Sequence, residues 1–361
     1  MPMHNGLLPR EGLKADVFAR LLSNTAFNPL VTLPLLLLAR FTRRGQDLGI
    51  LHHTALSRVR ALFYIGVARW LSSWYSAKVL NNWTTDQYDW RGREIVLITG
   101  GSGGIGAHVV RFLSEKASTV HYFKCDITSP KEIAAVAKEI RAQVGDPTVL
   151  INNAGVARGK SILDSTERDV RFTMDVNTLS HYWMVQEFLP SMIENNHGMV
   201  VTVASIASWV TVPNMVDYAA SKAAALSFHE GLTAELSTRY GAPKVRTVVV
   251  NQGYTKTPLF EGYNNSKGFL LPTLEPETVA EAIVRQVLSG QSGQVICPTL
   301  ASALTGLAAM PHWYQYNMRK DGAEIMPTWR GRQVVQDLDK FYEAKEKDVE
   351  GSTVLVPEES K

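Results

Sequence analysis

The sequence is poor in the residues that cross-link small folds or bind metals. Its 361 residues include only two cysteines, Cys125 and Cys297, which excludes a disulfide scaffold and a cysteine zinc site. Both are expected to stay reduced and to face the cytosol. The nine histidines show no metal-ligand spacing, and a net charge of +3 is too small to indicate a nucleic-acid partner. We therefore expect neither metal nor nucleic acid.

Long apolar runs are also missing from the first 92 residues, although two shorter ones occur. Residues 27–41 are too few for a simple membrane span of about 20 residues. Residues 61–80 are interrupted by two cations, with tryptophan and tyrosine beside them, as is typical of a membrane–water boundary. The sequence predicts a membrane-associated helical segment over residues 1–92, as a monotopic hairpin or in-plane helices. One full span, or two ordinary buried helices, are the alternatives.

Charge is distributed unevenly along the chain. Residues 1–93 carry twelve Lys or Arg and five Asp or Glu, a net +7, so the remainder carries −4. A basic, apolar segment favours contact with anionic lipid. Arginines follow the first apolar run, where a signal peptide would have a small-residue cleavage site, so we expect no cleavage.

From residue 93 onwards, strand-like apolar runs alternate with stretches of helical spacing. This alternation predicts an α/β fold of the Rossmann type, a doubly wound parallel sheet, over residues 93–300. Residues 301–361 are expected to form an apolar helix and a charged tail; the apolar stretch at 298–314 fits a substrate lid, a membrane-dipping helix or plain core. Predicted strands cover residues 94–99, 119–127, 149–152, 199–204, 245–250 and 294–297, and predicted helices cover 107–117, 129–144, 167–194, 218–236 and 276–287.

A glycine-rich turn, TGGSGGIG at residues 99–106, lies between the first predicted strand and helix. Glycines permit the tight turn and let backbone N–H groups approach a pyrophosphate, which the positive end of the helix dipole also favours. The turn therefore predicts a dinucleotide site.

Tyr218 and Lys222 stand four residues apart, on one face of a predicted helix. A phenol with a pKa near 10 is a poor acid or base at neutral pH, but a neighbouring cation stabilises the phenolate. Ser205 follows a predicted strand, thirteen residues earlier, where a hydroxyl can hold a substrate oxygen. Ser208 is the alternative, and we favour Ser205.

Together with NNAG at residues 152–155 and Asn177, these motifs resemble, in order and spacing, the short-chain dehydrogenase/reductase family. The resemblance covers residues 93–300 and implies a nicotinamide cofactor, NAD or NADP. It implies that Tyr218 is the general acid/base, that Lys222 binds the nicotinamide ribose and lowers the pKa of Tyr218, that Ser205 orients the substrate and that Asn177 holds a water. Implied cofactor contacts are Gly100, Ser102, Gly104, Ile105, Gly106, Asn153, Ala154, Gly155, Tyr218, Lys222 and Thr257.

Residues 177–208 resemble one branch of that family most, the membrane-associated retinol dehydrogenases and lipid-droplet hydroxysteroid dehydrogenases. This resemblance implies an N-terminal anchor on the endoplasmic reticulum or lipid droplets, with the catalytic domain in the cytosol. It also implies a lipophilic small-molecule substrate and a possible homodimer.

The sequence departs from the family between the glycine turn and Asn152. The family has two βα units there, and only one fits here. Asp126 matches either the acidic residue that grips a ribose hydroxyl or, as we favour, an Asp of the next strand near the adenine. The favoured reading leaves the chain one βα unit short, and it predicts that residues 119–127 pair directly beside residues 94–99. Gln252 also replaces a proline usual in the family.

Two functions fit this sequence. The first is a membrane-associated NAD(P)-dependent oxidoreductase that interconverts a lipophilic alcohol and carbonyl, of the retinoid, steroid or fatty aldehyde type. The second is a catalytically impaired scaffold or lipid-surface protein of the same fold, with weakened cofactor binding.

Overall fold

A parallel β-sheet organises the catalytic part of the chain. The structure is a computed structural model that describes residues 4, 8–115, 119–265 and 268–350, with side chains described as far as residue 345. Five strands run in the order β1 to β5 across the sheet, all parallel. They are β1 (Val96–Ile98), β2 (Val149–Asn152), β3 (Met199–Val203), β4 (Arg246–Gln252) and β5 (Gly293–Cys297).

Twelve α-helices accompany these strands in the described residues. They are α1 (Ala15–Asn24), α2 (Pro29–Phe41), α3 (Arg43–Leu51), α4 (His53–Leu80), α5 (Gly104–Ser114), α6 (Pro130–Gln143), α7 (Glu167–Met174), α8 (Ser180–Glu194), α9 (Val216–Thr238), α10 (Pro276–Leu288), α11 (His312–Asp321) and α12 (Leu338–Glu350).

Helices cover both faces of the sheet, which confirms the predicted Rossmann-like α/β architecture. The three central strands β2, β3 and β4 are buried along their whole length, as expected for strands packed on both faces. One core cluster joins α5 and α10 to one face, and a second joins α6, α8 and α9 to the other. This arrangement places the carboxyl ends of the strands, and the loops that follow them, at one edge of the sheet.

The predicted helix over residues 167–194 contains a break that the sequence does not reveal. Between α7 and α8 the backbone forms one π-helical turn, Asp175–Leu179. Such a turn widens the helix locally and is frequent at functional sites. Here it includes the fully buried Asn177.

The prediction that residues 119–127 form a strand beside β1 is wrong. Within the described part of the chain this segment has no strand, and β1 is the edge of the sheet. The side chains of Phe123, Cys125 and Ile127 do pack into the same core cluster as Leu97. However, one cavity borders both β1 and residues 119–127. The apolar side chains of residues 119–127 therefore pack into the core, although the backbone of this segment does not pair with β1.

The N-terminal helices expose much apolar surface. Leu30 is 83% exposed and Phe41 is 74% exposed. Within the described residues, no single helix combines the length and apolar character needed to cross a membrane. The helices α1 and α2 meet that criterion only as a pair, and the chain bends by 48° between them.

Residues 81–94 connect these helices to the amino ends of the strands. The buried guanidinium of Arg246 donates to the carbonyls of Asn81 and Thr84, each at 3.0 Å. The hydroxyl of Tyr88 donates to the carbonyl of Gly198 at 2.7 Å. Residues 81–94 thus pack as part of the catalytic domain.

The C-terminal residues lie over the carboxyl ends of the strands, opposite residues 81–94. An apolar 3₁₀ helix (Thr299–Ala309) and α11 follow β5. Residues 322–335, which we name the C-terminal strap, then bond to the loop at residues 257–264 through backbone N–H groups of Arg330 and Arg332. The strap therefore fixes that loop against the carboxyl end of the sheet.

Candidate active site

A cavity of about 1790 Å³ lies at the carboxyl ends of the strands. Of the fourteen residues that the sequence analysis assigned to a site, all but two line it. The exceptions are Gly106, in the first turn of α5, and Asn177, in the π-helical turn. The short motifs therefore lie around one cavity, because most of them follow the carboxyl ends of neighbouring parallel strands.

The glycine-rich turn is folded tightly under the start of α5. A Cβ atom on Gly106 would lie 2.3 Å from the carbonyl oxygen of Gly100 and 2.5 Å from Nδ2 of Asn153. Gly104 has φ of +53°, and a Cβ there would lie 3.4 Å from Cγ2 of Thr257. Larger residues would fill the space in front of the helix N-terminus, so the turn fits a bound pyrophosphate.

The hydroxyl of Thr99 joins the turn after β1 to the turn after β2. Its oxygen accepts from the backbone N–H groups of Asn153 at 3.0 Å and Ala154 at 3.1 Å. The amide of Asn153 donates in return to the carbonyl of Thr99 at 3.0 Å. The sequence analysis did not assign Thr99 a role, although it begins the glycine motif.

Asn177 is fully hydrogen-bonded inside the protein. Its Nδ2 donates to the carbonyl of Val156 and to the hydroxyl of Ser221, both at 2.9 Å, and its Oδ1 accepts from the N–H of Val156 at 2.8 Å. Asn177 thus ties the loop after β2 to α9. Ser221 was missed by the sequence analysis because its importance depends on a residue 44 positions away.

Tyr218 and Ser205 both line the cavity, and the hydroxyl of Ser205 donates to the carbonyl of Gln252 at 3.3 Å. Burial raises the pKa of Tyr218 to about 12, and the hydrogen bond with Ser205 opposes that rise. The expected lowering of this pKa by Lys222 therefore does not hold in the ligand-free structure. Ser205 also accepts from the N–H of Ala207 at 3.1 Å. The hydroxyl of Ser208 instead donates to the carbonyl of Lys222 at 2.9 Å. The geometry therefore favours Ser205 over Ser208 as the serine that faces a ligand.

The ammonium of Lys222 is buried between β3 and α9. Its Nζ donates to the carbonyl of Val203 at 2.8 Å and lies 5.8 Å from the ring centroid of Tyr218. Removal from water lowers the pKa of Lys222 to about 8. The group therefore titrates close to physiological pH.

Asp126 lies at the far end of the cavity, before α6. Its Oδ1 accepts from the N–H of Thr128 at 2.9 Å and from the Thr128 hydroxyl at 2.8 Å. Its Oδ2 lies 3.0 Å from Nζ of Lys345 on α12. Asp126 thus lines the cavity but is engaged by its own chain.

The wall above Tyr218 is apolar and aromatic. The ring of Phe260 meets that of Tyr218 edge-on, with centroids 5.5 Å apart. Met215, Tyr263 and Trp329 of the strap belong to the same cluster. The sequence analysis did not find this wall, because its members come from four separate segments.

A glycine turn shaped for pyrophosphate, together with a Tyr–Ser–Lys group at the same edge of a parallel sheet, defines a nicotinamide-dependent oxidoreductase. Residues 108–268 match the short chain dehydrogenase family. The chain is also 51% identical over 199 residues to Dehydrogenase RED2 of Cochliobolus heterostrophus, covering 50% of this chain and 75% of that one. The chain therefore belongs to the short-chain dehydrogenase/reductase family and is an NAD(P)-dependent enzyme.

Relatives named for lipophilic substrates match over a similar region. Human Estradiol 17-beta-dehydrogenase 11 is 34% identical over 238 residues, covering 59% of this chain and 78% of the relative. Epidermal retinol dehydrogenase 2 of Mus musculus is 35% identical over 225 residues, covering 55% and 72%. Because 59% of 361 residues is about 213, about 25 aligned positions of the human relative have no counterpart in this chain.

A solved structure shares the fold. It is a short chain dehydrogenase from Burkholderia cenocepacia J2315 in complex with NADP, with a TM-score of 0.53 and 26% identity, covering 64% of this chain and 99% of that one. The match agrees with the NAD(P) cofactor that the family implies.

The buried ammonium of Lys222 predicts a specific pH dependence of stability for the ligand-free enzyme. The native pKa of about 8 lies below the ordinary 10.5, so between these values the unfolded chain binds more protons and stability rises with pH. Relative to Lys222→Met, the wild type should gain on the order of 2–3 kcal/mol in unfolding free energy between pH 7 and 10. Urea unfolding at several pH values measures this difference.

The exposed Lys138 offers a matched control. A solvated ammonium keeps its water on folding, so Lys138→Met should follow the wild-type pH profile. If the unfolding free energies of the wild type and Lys222→Met changed with pH in the same way, burial would not lower the pKa of Lys222, and the prediction would be wrong.

Proposed function

We propose that this enzyme interconverts a lipophilic alcohol and its carbonyl, of the retinoid, steroid or fatty aldehyde type, while held on a membrane. The observation that carries the proposal is the position of the Tyr218 and Ser205 hydroxyls beneath an apolar wall that contains Phe260 and Met215. Such a wall binds the hydrocarbon body of a substrate and leaves its one oxygen to meet the two hydroxyls.

In this proposal the cofactor supplies or accepts the hydride, and the side chains govern position and proton transfer. Tyr218 transfers the proton at the substrate oxygen, and Ser205 holds that oxygen by a hydrogen bond. The ammonium of Lys222 binds the ribose, and we propose that its charge stabilises the phenolate during proton transfer, against the burial that raises the pKa of Tyr218 in the ligand-free structure. The side chain of Asn177 fixes the backbone at Val156 and ties it to Ser221, and the water that the family resemblance assigns to Asn177 stays a proposal.

Pyrophosphate would bind at Gly100–Gly106, with Ser102 and Ile105 on the same turn. Asn153, Ala154 and Gly155 would flank the nicotinamide half, and Thr257 would face the amide. The closeness of Thr257 to Gly104 supports this assignment, because it brings the loop after β4 beside the glycine turn.

Replacing the tyrosine hydroxyl tests the proposed acid/base role. Tyr218→Phe should leave NADPH binding, followed by cofactor fluorescence, nearly unchanged and lower turnover by about 10²–10⁴. Lys222→Ala should weaken both binding and turnover, because it removes a ribose contact as well as the cation.

The half-buried Tyr263, which packs against the same apolar cluster, serves as a control. Tyr263→Phe keeps the ring and should retain turnover within a few-fold of the wild type. Near-normal turnover by Tyr218→Phe would remove Tyr218 from the role of proton donor.

We further propose that the adenosine half of the site is short of one βα unit. The cavity that borders both β1 and residues 119–127 supports this idea. In this proposal Asp126 stands near the adenine, and the residue that selects NAD or NADP is missing. The consequence is a weaker hold on the adenosine end of either cofactor.

Titration with NADH and NADPH tests the shortened adenosine half. We expect dissociation constants for the two cofactors within about tenfold of each other, since charged hydrogen bonds worth about 1.5–3 kcal/mol each are absent. Inserting the corresponding strand–helix unit of a close relative before residue 119 should tighten binding by roughly 10–100-fold per restored bond. Tight, selective binding by the unaltered chain would contradict the proposal.

The same titration separates the enzyme from the alternative role. Absence of binding for both cofactors would favour a catalytically impaired lipid-surface scaffold. The part of the cavity between β1 and residues 119–127 is the observation that favours this scaffold role.

The N-terminal helices are proposed to hold the protein on the endoplasmic reticulum or lipid droplets, with the catalytic domain in the cytosol. The exposed leucines of α2 support an apolar environment around that helix. The exposed Trp70 and Trp74 of α4 suit the membrane–water boundary. A homodimer is a further proposal from the family resemblance.

Flotation with phospholipid vesicles tests the anchor. The full-length chain should float without detergent, whereas a chain lacking residues 1–80 should remain at the bottom of the gradient. The cut spares residues 81–94 because Arg246 bonds to Asn81 and Thr84. Retained NADPH binding by the shortened chain is the control for folding, and a full-length chain that stays free of vesicles would exclude the anchor.

A further inference from the structure

The mouth of the cavity has an apolar outer rim. We use the name rim for residues 268–271 and 310–316. Phe269, Leu270, Trp313 and Tyr316 are each more than half exposed to solvent. Such exposed aromatic groups are unusual on a water-facing surface unless something covers them.

The inner neighbours of the rim line the cavity itself. Leu271 follows the exposed pair, Leu304 lies in the 3₁₀ helix before α11, and Met318 follows Tyr316 within α11. Each half of the rim therefore adjoins an apolar residue that lines the same cavity as Tyr218.

The rim is also joined to the first N-terminal helix. The N–H of Ala15 donates to the carbonyl of Phe269 at 3.1 Å, and the rings of Phe18 and Phe269 lie 6.4 Å apart. Asp16 accepts from the N–H of Leu300 at 2.9 Å. Because α1 contacts the rim, a membrane surface that binds α1 and α2 would also lie close to the rim.

The N-terminal helices carry a strong excess of positive charge, whereas charges of both signs lie near the rim. Residues 17–85 contain eight Lys or Arg and one acidic residue, Asp47. Near the rim, Arg319 and Lys320 are followed by Asp321 and Glu324, and Asp16 accepts from the N–H of Leu300. Because the rim adjoins these basic helices, its exposed apolar groups match an anionic phospholipid surface, which offers an apolar interior beneath negative headgroups.

We propose that the rim is a second contact with an anionic phospholipid bilayer, so that the cavity mouth opens directly onto the leaflet. The substrate then passes from the lipid to Tyr218 without crossing water. This inference rests on the proposed function for the presence of an anchor and of a lipophilic substrate. It differs from the anchor because it concerns residues beyond position 260.

A fluorescent label at the rim tests the contact. Full-length Tyr316→Cys, labelled with an NBD group, should show a several-fold rise and a blue shift of emission on vesicles of phosphatidylcholine and phosphatidylserine. Lipids carrying a doxyl quencher should quench it. Tyr240→Cys is the matched control, because Tyr240 is an exposed aromatic residue between α9 and β4, at the opposite edge of the sheet. The wild-type chain gives the background from Cys125 and Cys297.

The outcomes separate the rim from the anchor. A label at position 316 that stays water-exposed while the protein floats would overturn the rim contact and leave the anchor standing. Failure of the full-length chain to float would overturn both. Protection of the label without vesicles, together with a doubled molar mass, would show that a second copy covers the rim and would also overturn the inference.

Substrate delivery is tested by Trp313→Glu with Tyr316→Glu. The two acidic groups should raise the KM for retinaldehyde presented in the same vesicles several-fold, while kcat and the KM in detergent micelles stay unchanged. Tyr240→Glu should change none of these values. An unchanged KM in vesicles would overturn the direct path from the leaflet.

Discussion

The site depends on a buried ammonium group held by neutral partners. Lys222 is 3% exposed, and the contact that fixes its Nζ is a backbone carbonyl of β3. Burial of a charge is costly unless the surroundings compensate for it. The neighbouring groups keep α9 in place around it: Ser208 bonds to the carbonyl of Lys222, and Asn177 bonds to Ser221. A fold that holds this amine against β3 also holds Tyr218 beside Ser205.

Features encoded by short segments could be predicted from the sequence. The glycine turn, the Tyr218–Lys222 spacing and the start of the predicted helix at residue 129 each depend on residues within one turn of a helix or one loop. The hydroxyl of Ser129 accepts from the N–H of Glu132, as expected at that position. The central strands were also predictable, because full burial on both faces leaves a continuous apolar run.

Features that depend on distant partners could not be predicted. The strand expected at residues 119–127 has the right alternation, but a ladder also needs a neighbouring backbone within reach. The π-helical turn at Asn177 and the contact of Trp329 with the loop at Leu259 join segments far apart in sequence. Asp126 was placed near the adenosine end from its spacing, whereas its engagement by Lys345 depends on a helix more than 200 residues later.

The edge position of β1 links cofactor binding to local unfolding. In the described part of the chain, β1 pairs on one side only, with β2. Edge elements with few partners are the first to open in a native protein. Thr99 and the glycine turn directly follow this strand, so opening of the edge displaces the pyrophosphate loop. A ligand that binds only the closed form stabilises it by mass action. The cofactor therefore acts as part of the fold at this edge, and the concentration of free nucleotide sets how often β1 is open.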